Sequence, residues 1–188
     1  MYPIPHHRPL LCELHAHTTW SDGTLGVTEL VDLYGRTGFD VLCVSDHVLS
    51  AVGSADPERR HVAAADFPAY LAEIEAEAER AMAEHGLLLI PGAELTADDD
   101  GPDLAAHAVA VGLRSFVGLD DGLETALCRA RANGAALIAA HPHGLVDDPI
   151  PSRTTRRFFR ERSELGVLVD RHELFNRDTL FGLSLIHI

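Results

Sequence analysis

Residues 10–23 read LLCELHAHTTWSDG, and this stretch decides the fold class. Its apolar start is typical of a buried strand, which leads directly into His15 and His17. Similar short apolar runs predict a first strand at 10–14 and further strands at 41–45, 87–91, 107–112, 136–140 and 167–175. Amphipathic segments between them predict helices at 27–36, 67–85, 120–133 and 153–164. The alternation predicts an α/β domain with a mostly parallel sheet or barrel covered by helices.

Four of these predicted strands end in side chains that commonly bind metal ions. These side chains are His15, His17 and Asp22 after the first strand, His47 after the second, Glu94 after the third and His141 after the fifth. Each alone has an ordinary explanation as a strand-end histidine, a turn residue or a loop cap. The carboxyl ends of parallel strands converge on one face, however, so their common position predicts a divalent metal site. Imidazole suits zinc and iron, and carboxylates suit manganese or bridge two cations.

Composition and net charge limit which molecules and membranes the protein can bind. The chain has 188 residues, which fits one domain, and a net charge of −14, which disfavours binding to nucleic acid or to an anionic membrane. Its three cysteines are widely spaced and make neither a disulfide framework nor a CxxC metal site. No apolar run is long enough for a bilayer, and the N-terminus lacks a signal-peptide core. We therefore expect a cytoplasmic protein with no membrane partner.

Four motifs, in this order, resemble those of the polymerase and histidinol phosphatase (PHP) domain family. They are HAHTTWSDG at 15–23, SDH at 45–47, PGAE at 91–94 and AHP at 140–142. The resemblance covers about residues 10–181. It implies a distorted (β/α)7 barrel and a phosphoesterase site with up to three divalent metal ions, which are zinc, manganese or iron.

The resemblance also implies roles for individual residues. The implied metal ligands are His15, His17, Asp22, His47, Glu94 and His141. Among them, Glu94 would bridge two ions. His107 matches a strand-borne histidine of the family, and we interpret it as a further ligand or a substrate contact. Asp46 is expected to orient a ligand, since such carboxylates fix imidazole tautomers.

Three further features have two interpretations each. His143 either contacts the substrate or is a solvated loop histidine, and Asn176 either approaches the site or belongs to a strand-end turn. The basic stretch at 153–160 either clamps a phosphate group or forms ion pairs with the many acidic residues.

Together these features predict a metal-dependent phosphoesterase that hydrolyses a small phosphomonoester or nucleotide-like substrate by metal-activated water. The alternative is a non-catalytic PHP module with a structural or docking role. The family's late Asp-x-His motif does not follow residues 173–176. We therefore expect residues 1–182 to form a single, partial PHP domain and residues 183–188, LSLIHI, to be a non-native tail.

Overall fold

The computed structural model describes residues 9–98, 105–141 and 166–173. The strands in these ranges are β1 (Cys12–Ala16), β2 (Val41–Val44), β3 (His47–Val48), β4 (Leu88–Ala97), β5 (Ala106–Val111), β6 (Ala136–Ala139) and β7 (Arg171–His172). The helices are α1 (Val27–Arg36), α2 (Phe67–His85) and α3 (Leu123–Ala132), with a short 3-10 turn at Gly53–Ala55. The predicted helix at 153–164 lies outside the described residues.

One mixed sheet organises the strands in the order β1-β2-β4-β5-β6-β7, and β3 pairs with β4 beside this path. The pairs β1–β2, β2–β4, β3–β4 and β6–β7 are parallel, whereas β5 runs antiparallel to both β4 and β6. The expected mixed α/β fold is confirmed, but the direction of β5 is not that of a regular βαβ repeat. Only eight residues separate Ala97 from Ala106, too few for the crossover that a parallel neighbour requires.

The sheet curls into a half-barrel. A buried cluster inside the curl joins residues of β1, β2, β5 and the end of β6, although β1 and β6 are not neighbours in the sheet. Its members are Cys12, Leu14, Val41, Cys43, Val109, Ile138 and Ala140. A larger cluster packs the helices against the outer surface of the sheet. This curvature brings the ends of distant strands close together.

Helices α1 and α2 have the bounds that the sequence predicts, and α3 is shorter than predicted. Helix α2 buries Phe67, Tyr70, Ile74 and Ala81, which recur at helical spacing. It ends at Gly86, whose φ of 68° is a left-handed conformation that glycine adopts without a steric penalty. The positions of α1 and α2 are therefore set largely by the local sequence pattern. No helix in the described part of the chain is long and apolar enough to cross a membrane.

The predicted ends of the first and third strands are wrong. His15 lies inside β1, and Glu94 lies inside a ten-residue β4 rather than in a loop after it. The sequence analysis ended the third strand at Pro91, before Gly92, and proline and glycine are uncommon inside strands. A Cβ at Gly92 would lie 2.7 Å from Cys43 Sγ and 2.9 Å from the Ala110 oxygen, so the glycine instead permits a close approach between strands.

Candidate metal centre

The centre is built around Glu94, which is completely buried in β4. Five imidazole rings surround its carboxylate. Oε1 lies 3.4 Å from Nε2 of His15, 3.2 Å from Nδ1 of His107 and 3.2 Å from Nε2 of His141. Oε2 lies 3.3 Å from Nε2 of His17 and 2.8 Å from Nδ1 of His47. The curled sheet thus brings residues of β1, β3, β4, β5 and the end of β6 to one point.

Three groups in this cluster each offer ligand atoms that lie within 4.8 Å of one another. The groups are His15, His17 and Glu94; Glu94, His107 and His141; and His17, Asp22 and His47. The first two share Glu94, and His17 belongs to both the first and the third. The seven residues that the sequence singled out as ligand candidates therefore lie in one continuous cluster.

The donor geometry fits divalent cations. In the second group, the atoms Glu94 Oε1, His107 Nδ1 and His141 Nε2 form a triangle with sides of 3.2 Å. In the first group, Nε2 of His15 lies 3.1 Å from Nε2 of His17. Ligand atoms about 2.0–2.1 Å from one tetrahedral ion would be about 3.3–3.4 Å apart. Glu94 Oε2 is also buried and receives no well-aligned hydrogen bond from any described residue, although Nδ1 of His47 lies 2.8 Å away, and a bound cation would pair with this oxygen.

The electrostatics of the cluster balance several carboxylates, the buried Glu94 above all, against several imidazoles. Burial opposes protonation of His47, but the charge of Glu94 together with the contacts to Asp22 outweighs it and raises the His47 pKa to about 10. The pKa values of His15, His17 and His107 are also raised, because Glu94 and a second nearby carboxylate together outweigh burial in each case. Burial alone would favour the neutral acid of Glu94, yet the surrounding imidazolium charges hold its pKa well below the usual range. A cation that binds here must therefore replace protons on the imidazoles.

The SDG turn brings Asp22 back to the histidines. Its Oδ1 lies 2.7 Å from Nδ1 of His17, and its Oδ2 lies 3.6 Å from Nε2 of His47. These contacts hold the pKa of Asp22 far below its usual range. A Cβ at Gly23 would clash with the backbone carbonyl of His17, so the turn can close only around glycine.

Two solved structures are similar to this chain. One is a two-domain protein from Bacteroides vulgatus ATCC 8482 that contains a predicted PHP-like metal-dependent phosphoesterase; it is 24% identical, with a TM-score of 0.59, over 89% of this chain and 44% of that one. The other, from Bifidobacterium adolescentis ATCC 15703, is assigned by prediction as a metal-dependent phosphoesterase; it is 16% identical, with a TM-score of 0.56, over 92% of this chain and 80% of that one. This chain has the PHP fold.

The likeness at these identities establishes the fold of the chain. The chain spans less than half the length of the Bacteroides protein. No family model matches the sequence, and no curated protein matches it. The PHP fold was nevertheless expected from the resemblance of the four ordered motifs to those of the family.

Within the PHP fold, Asp46 contacts the turn after β1. Its buried Oδ1 accepts hydrogen bonds from the Thr18 nitrogen (2.8 Å), the Ser21 nitrogen (3.0 Å) and the Ser21 hydroxyl (2.6 Å). Its Oδ2 accepts one from the Thr18 hydroxyl at 2.8 Å. Asp46 thereby fixes the turn between His17 and Asp22, whereas the sequence analysis expected it to fix an imidazole tautomer.

Two acidic residues at the centre were not predicted. Glu173 is buried beside β7, with Oε1 3.4 Å from Nδ1 of His15, and its Oε2 accepts a hydrogen bond from the His141 nitrogen at 2.5 Å. The sequence analysis singled out Asn176, three residues further along the chain, and not Glu173. Asp98 Oδ1 lies 2.7 Å from Nε2 of His107. Its position in a run of three aspartates concealed this role.

Three sequence predictions fall outside the described residues. They concern His143, Asn176 and the basic stretch at 153–160. The strand end at His141 is described, and it has a φ of 34°, an uncommon left-handed conformation for a residue other than glycine. In this conformation, Nε2 of His141 lies beside Glu94 and His107. Backbone strain of this kind is commonly retained at functional sites.

Proposed function

We propose that this chain is a metal-dependent phosphoesterase that hydrolyses a small phosphomonoester or a nucleotide-like substrate. The observation that carries the proposal is the position of Glu94, which is buried and shared by two groups that each contribute two imidazole nitrogens. The likeness to two proteins assigned by prediction as metal-dependent phosphoesterases supports the same reaction class.

The proposed cofactors are up to three divalent ions, namely zinc, manganese or iron. His15, His17 and Glu94 would hold one, Glu94, His107 and His141 a second, and His17, Asp22 and His47 a third. Bound divalent ions supply a water molecule of lowered pKa and offset the negative charge that develops on a phosphate group. The mixed imidazole and carboxylate donor set suits all three metals.

The chain's own residues would position these ions and exclude other nucleophiles. Cys43 lies in the interior cluster, where burial raises its pKa to about 12, so its thiol is not available as a thiolate at neutral pH. Cys12 is also buried, and Cys128 is exposed on α3 and belongs to none of the three ligand groups. Asp46 would keep the turn of residues 18–21 in place, so that His17 and Asp22 face the same point.

Charge favours a compact anionic substrate. The net charge of −14 would repel an extended nucleic-acid backbone, whereas cations in the half-barrel would attract a single phosphate group locally. We extend the proposal to a PHP-type (β/α)7 barrel and a cytoplasmic location.

Metal content and hydrolysis test this proposal. The chain is purified without chelator or an affinity histidine tag, its metal content is measured by inductively coupled plasma mass spectrometry, and it is assayed with a panel of phosphomonoesters. Two or more equivalents of metal and turnover are expected. Glu94→Gln should lose turnover and the two equivalents whose groups share Glu94, while the matched control Glu75→Gln, at an exposed ion pair with Arg114, should retain turnover and all of the metal.

The metal and turnover measurements distinguish a phosphoesterase from a non-catalytic docking module. A metal-loaded chain that hydrolyses none of the phosphomonoesters would contradict the enzyme proposal and favour the docking module. Turnover that is unchanged in Glu94→Gln would show that the metal centre is not where the reaction occurs.

A further inference from the structure

His107 makes contacts through both of its ring nitrogens. The residue lies at the start of β5 and is 6% exposed. Its Nδ1 lies 3.2 Å from Glu94 Oε1 and 3.2 Å from His141 Nε2. Its Nε2, on the opposite edge of the ring, lies 2.7 Å from Asp98 Oδ1. The ring of His107 therefore connects Glu94 and His141 to the carboxylate of Asp98, which belongs to none of the three ligand groups.

Asp98 is itself held in place. It directly follows β4, and its Oδ2 lies 2.6 Å from Nη2 of Arg59. Arg59 belongs to the segment between β3 and α2, and Val62 of that segment donates a backbone hydrogen bond to the His47 oxygen at 2.8 Å. Asp98 therefore contacts His107 through one carboxylate oxygen and Arg59 through the other.

A neutral imidazole carries a proton on only one of its two nitrogens. A carboxylate beside Nε2 stabilises the form with Nε2 protonated, which leaves the lone pair of Nδ1 directed at Glu94 and His141. Histidines that bind metals commonly donate their other N–H group to a carboxylate, and loss of that carboxylate typically costs about 10–100-fold in metal affinity.

We propose that Asp98 is a positioning residue that fixes His107 as an Nδ1 metal ligand, and that Arg59 holds Asp98 in place. This inference rests on the proposed function, because it concerns the ion that Glu94, His107 and His141 would bind. The competing interpretation is a partly exposed ion pair between Arg59 and Asp98, which would contribute little to stability and nothing to metal affinity.

The test compares zinc binding in four variants and the wild type. Asp98→Ala removes the acceptor, whereas Asp98→Asn keeps a neutral oxygen that can still accept from Nε2–H. Arg59→Gln removes the second contact, and Glu75→Gln is the control, because it breaks an exposed ion pair away from the centre. Zinc stoichiometry and affinity are measured by competition with a chromogenic chelator. The melting temperature of each metal-free variant shows whether it folds.

One equivalent of zinc should bind about 10–100-fold more weakly to Asp98→Ala, and the other equivalents should be unchanged. Asp98→Asn should lose less affinity than Asp98→Ala, Arg59→Gln should lose less still, and Glu75→Gln should match the wild type. If Asp98→Ala folds and binds every equivalent as tightly as the wild type, the inference is wrong while the proposed function stands. A wild-type chain that binds none of zinc, manganese and iron overturns both.

Discussion

His15 and Glu173 join opposite ends of the described sheet: Nδ1 of His15 on β1 lies 3.4 Å from Oε1 of Glu173, which directly follows β7. Strands β1 and β7 are the two ends of the strand order, so this contact exists only because the sheet curls. The candidate ligands therefore link strands that no backbone ladder connects. Ion binding should consequently be coupled to the stability of the whole fold.

Zinc should raise the melting temperature of the chain. A ligand that binds only the folded state stabilises it by about 2.7 kcal/mol per site at 100 times its dissociation constant. Differential scanning calorimetry with zinc and after treatment with a chelator measures the shift. Glu94→Gln is the matched control, since it removes the carboxylate that two groups share. An equal zinc-dependent shift in this variant would contradict the assignment of Glu94.

Single histidine substitutions should remove specific equivalents of metal. His107→Ala and His141→Ala should lose the same equivalent, because both residues belong to the second group. The double variant should therefore lose no more metal than either single variant. His15→Ala should lose a different equivalent, and Glu94→Gln should lose two. Metal analysis after gel filtration measures these losses, and loss of separate equivalents by the two single variants would disprove a shared site.

Asp46→Ala should be strongly destabilising. The substitution leaves four donors from Thr18 and Ser21 without their charged acceptor in a buried region. Hydrogen bonds to a charged group contribute about 1.5–3 kcal/mol each, although losses within one network are not additive. We expect a loss of at least about 3 kcal/mol in the free energy of unfolding, measured by urea titration. The exposed Asp56→Ala should change it by less than about 0.5 kcal/mol.

Gly92→Ala should destabilise the sheet beneath the centre. The added methyl group would lie 2.7 Å from Cys43 Sγ and 2.9 Å from the Ala110 oxygen, and β4 would have to move. Overpacking of this kind typically costs about 1–3 kcal/mol. Urea titration against Gly118→Ala, whose Cβ would meet only a Phe116 ring atom at 3.3 Å, checks the expectation. Equal stability of the two variants would show that β4 adjusts without cost.

Helix bounds and candidate ligands were predictable from the sequence because their signals are local. The apolar stripe of α2, with Gly86 at its end, specifies a helix at 67–85 without reference to the rest of the chain. The ordered motifs likewise identified the residues of the cluster, including Glu94 and His107. The helix needed only spacing along the chain. The ligands needed the metal chemistry of strand-end side chains and, for His107, the resemblance to the PHP family.

The tertiary structure decided the features that depend on contacts between distant segments. Strand periodicity does not encode direction, so the reversal of β5, which places His107 opposite Thr96 at the end of β4, appeared only in the fold. Pro91 and Gly92 suggested a strand end. Strand β4 instead continues through Gly92, because only a residue without a side chain fits between Cys43 and Ala110. The sequence analysis assigned no role to Asp98 or Glu173, and only the curled sheet brings them to His107 and His15. The sequence by itself determined which residues could bind metal. The curvature of the sheet decided which of these residues meet, because contacts between distant segments depend on distances that spacing along the chain does not specify.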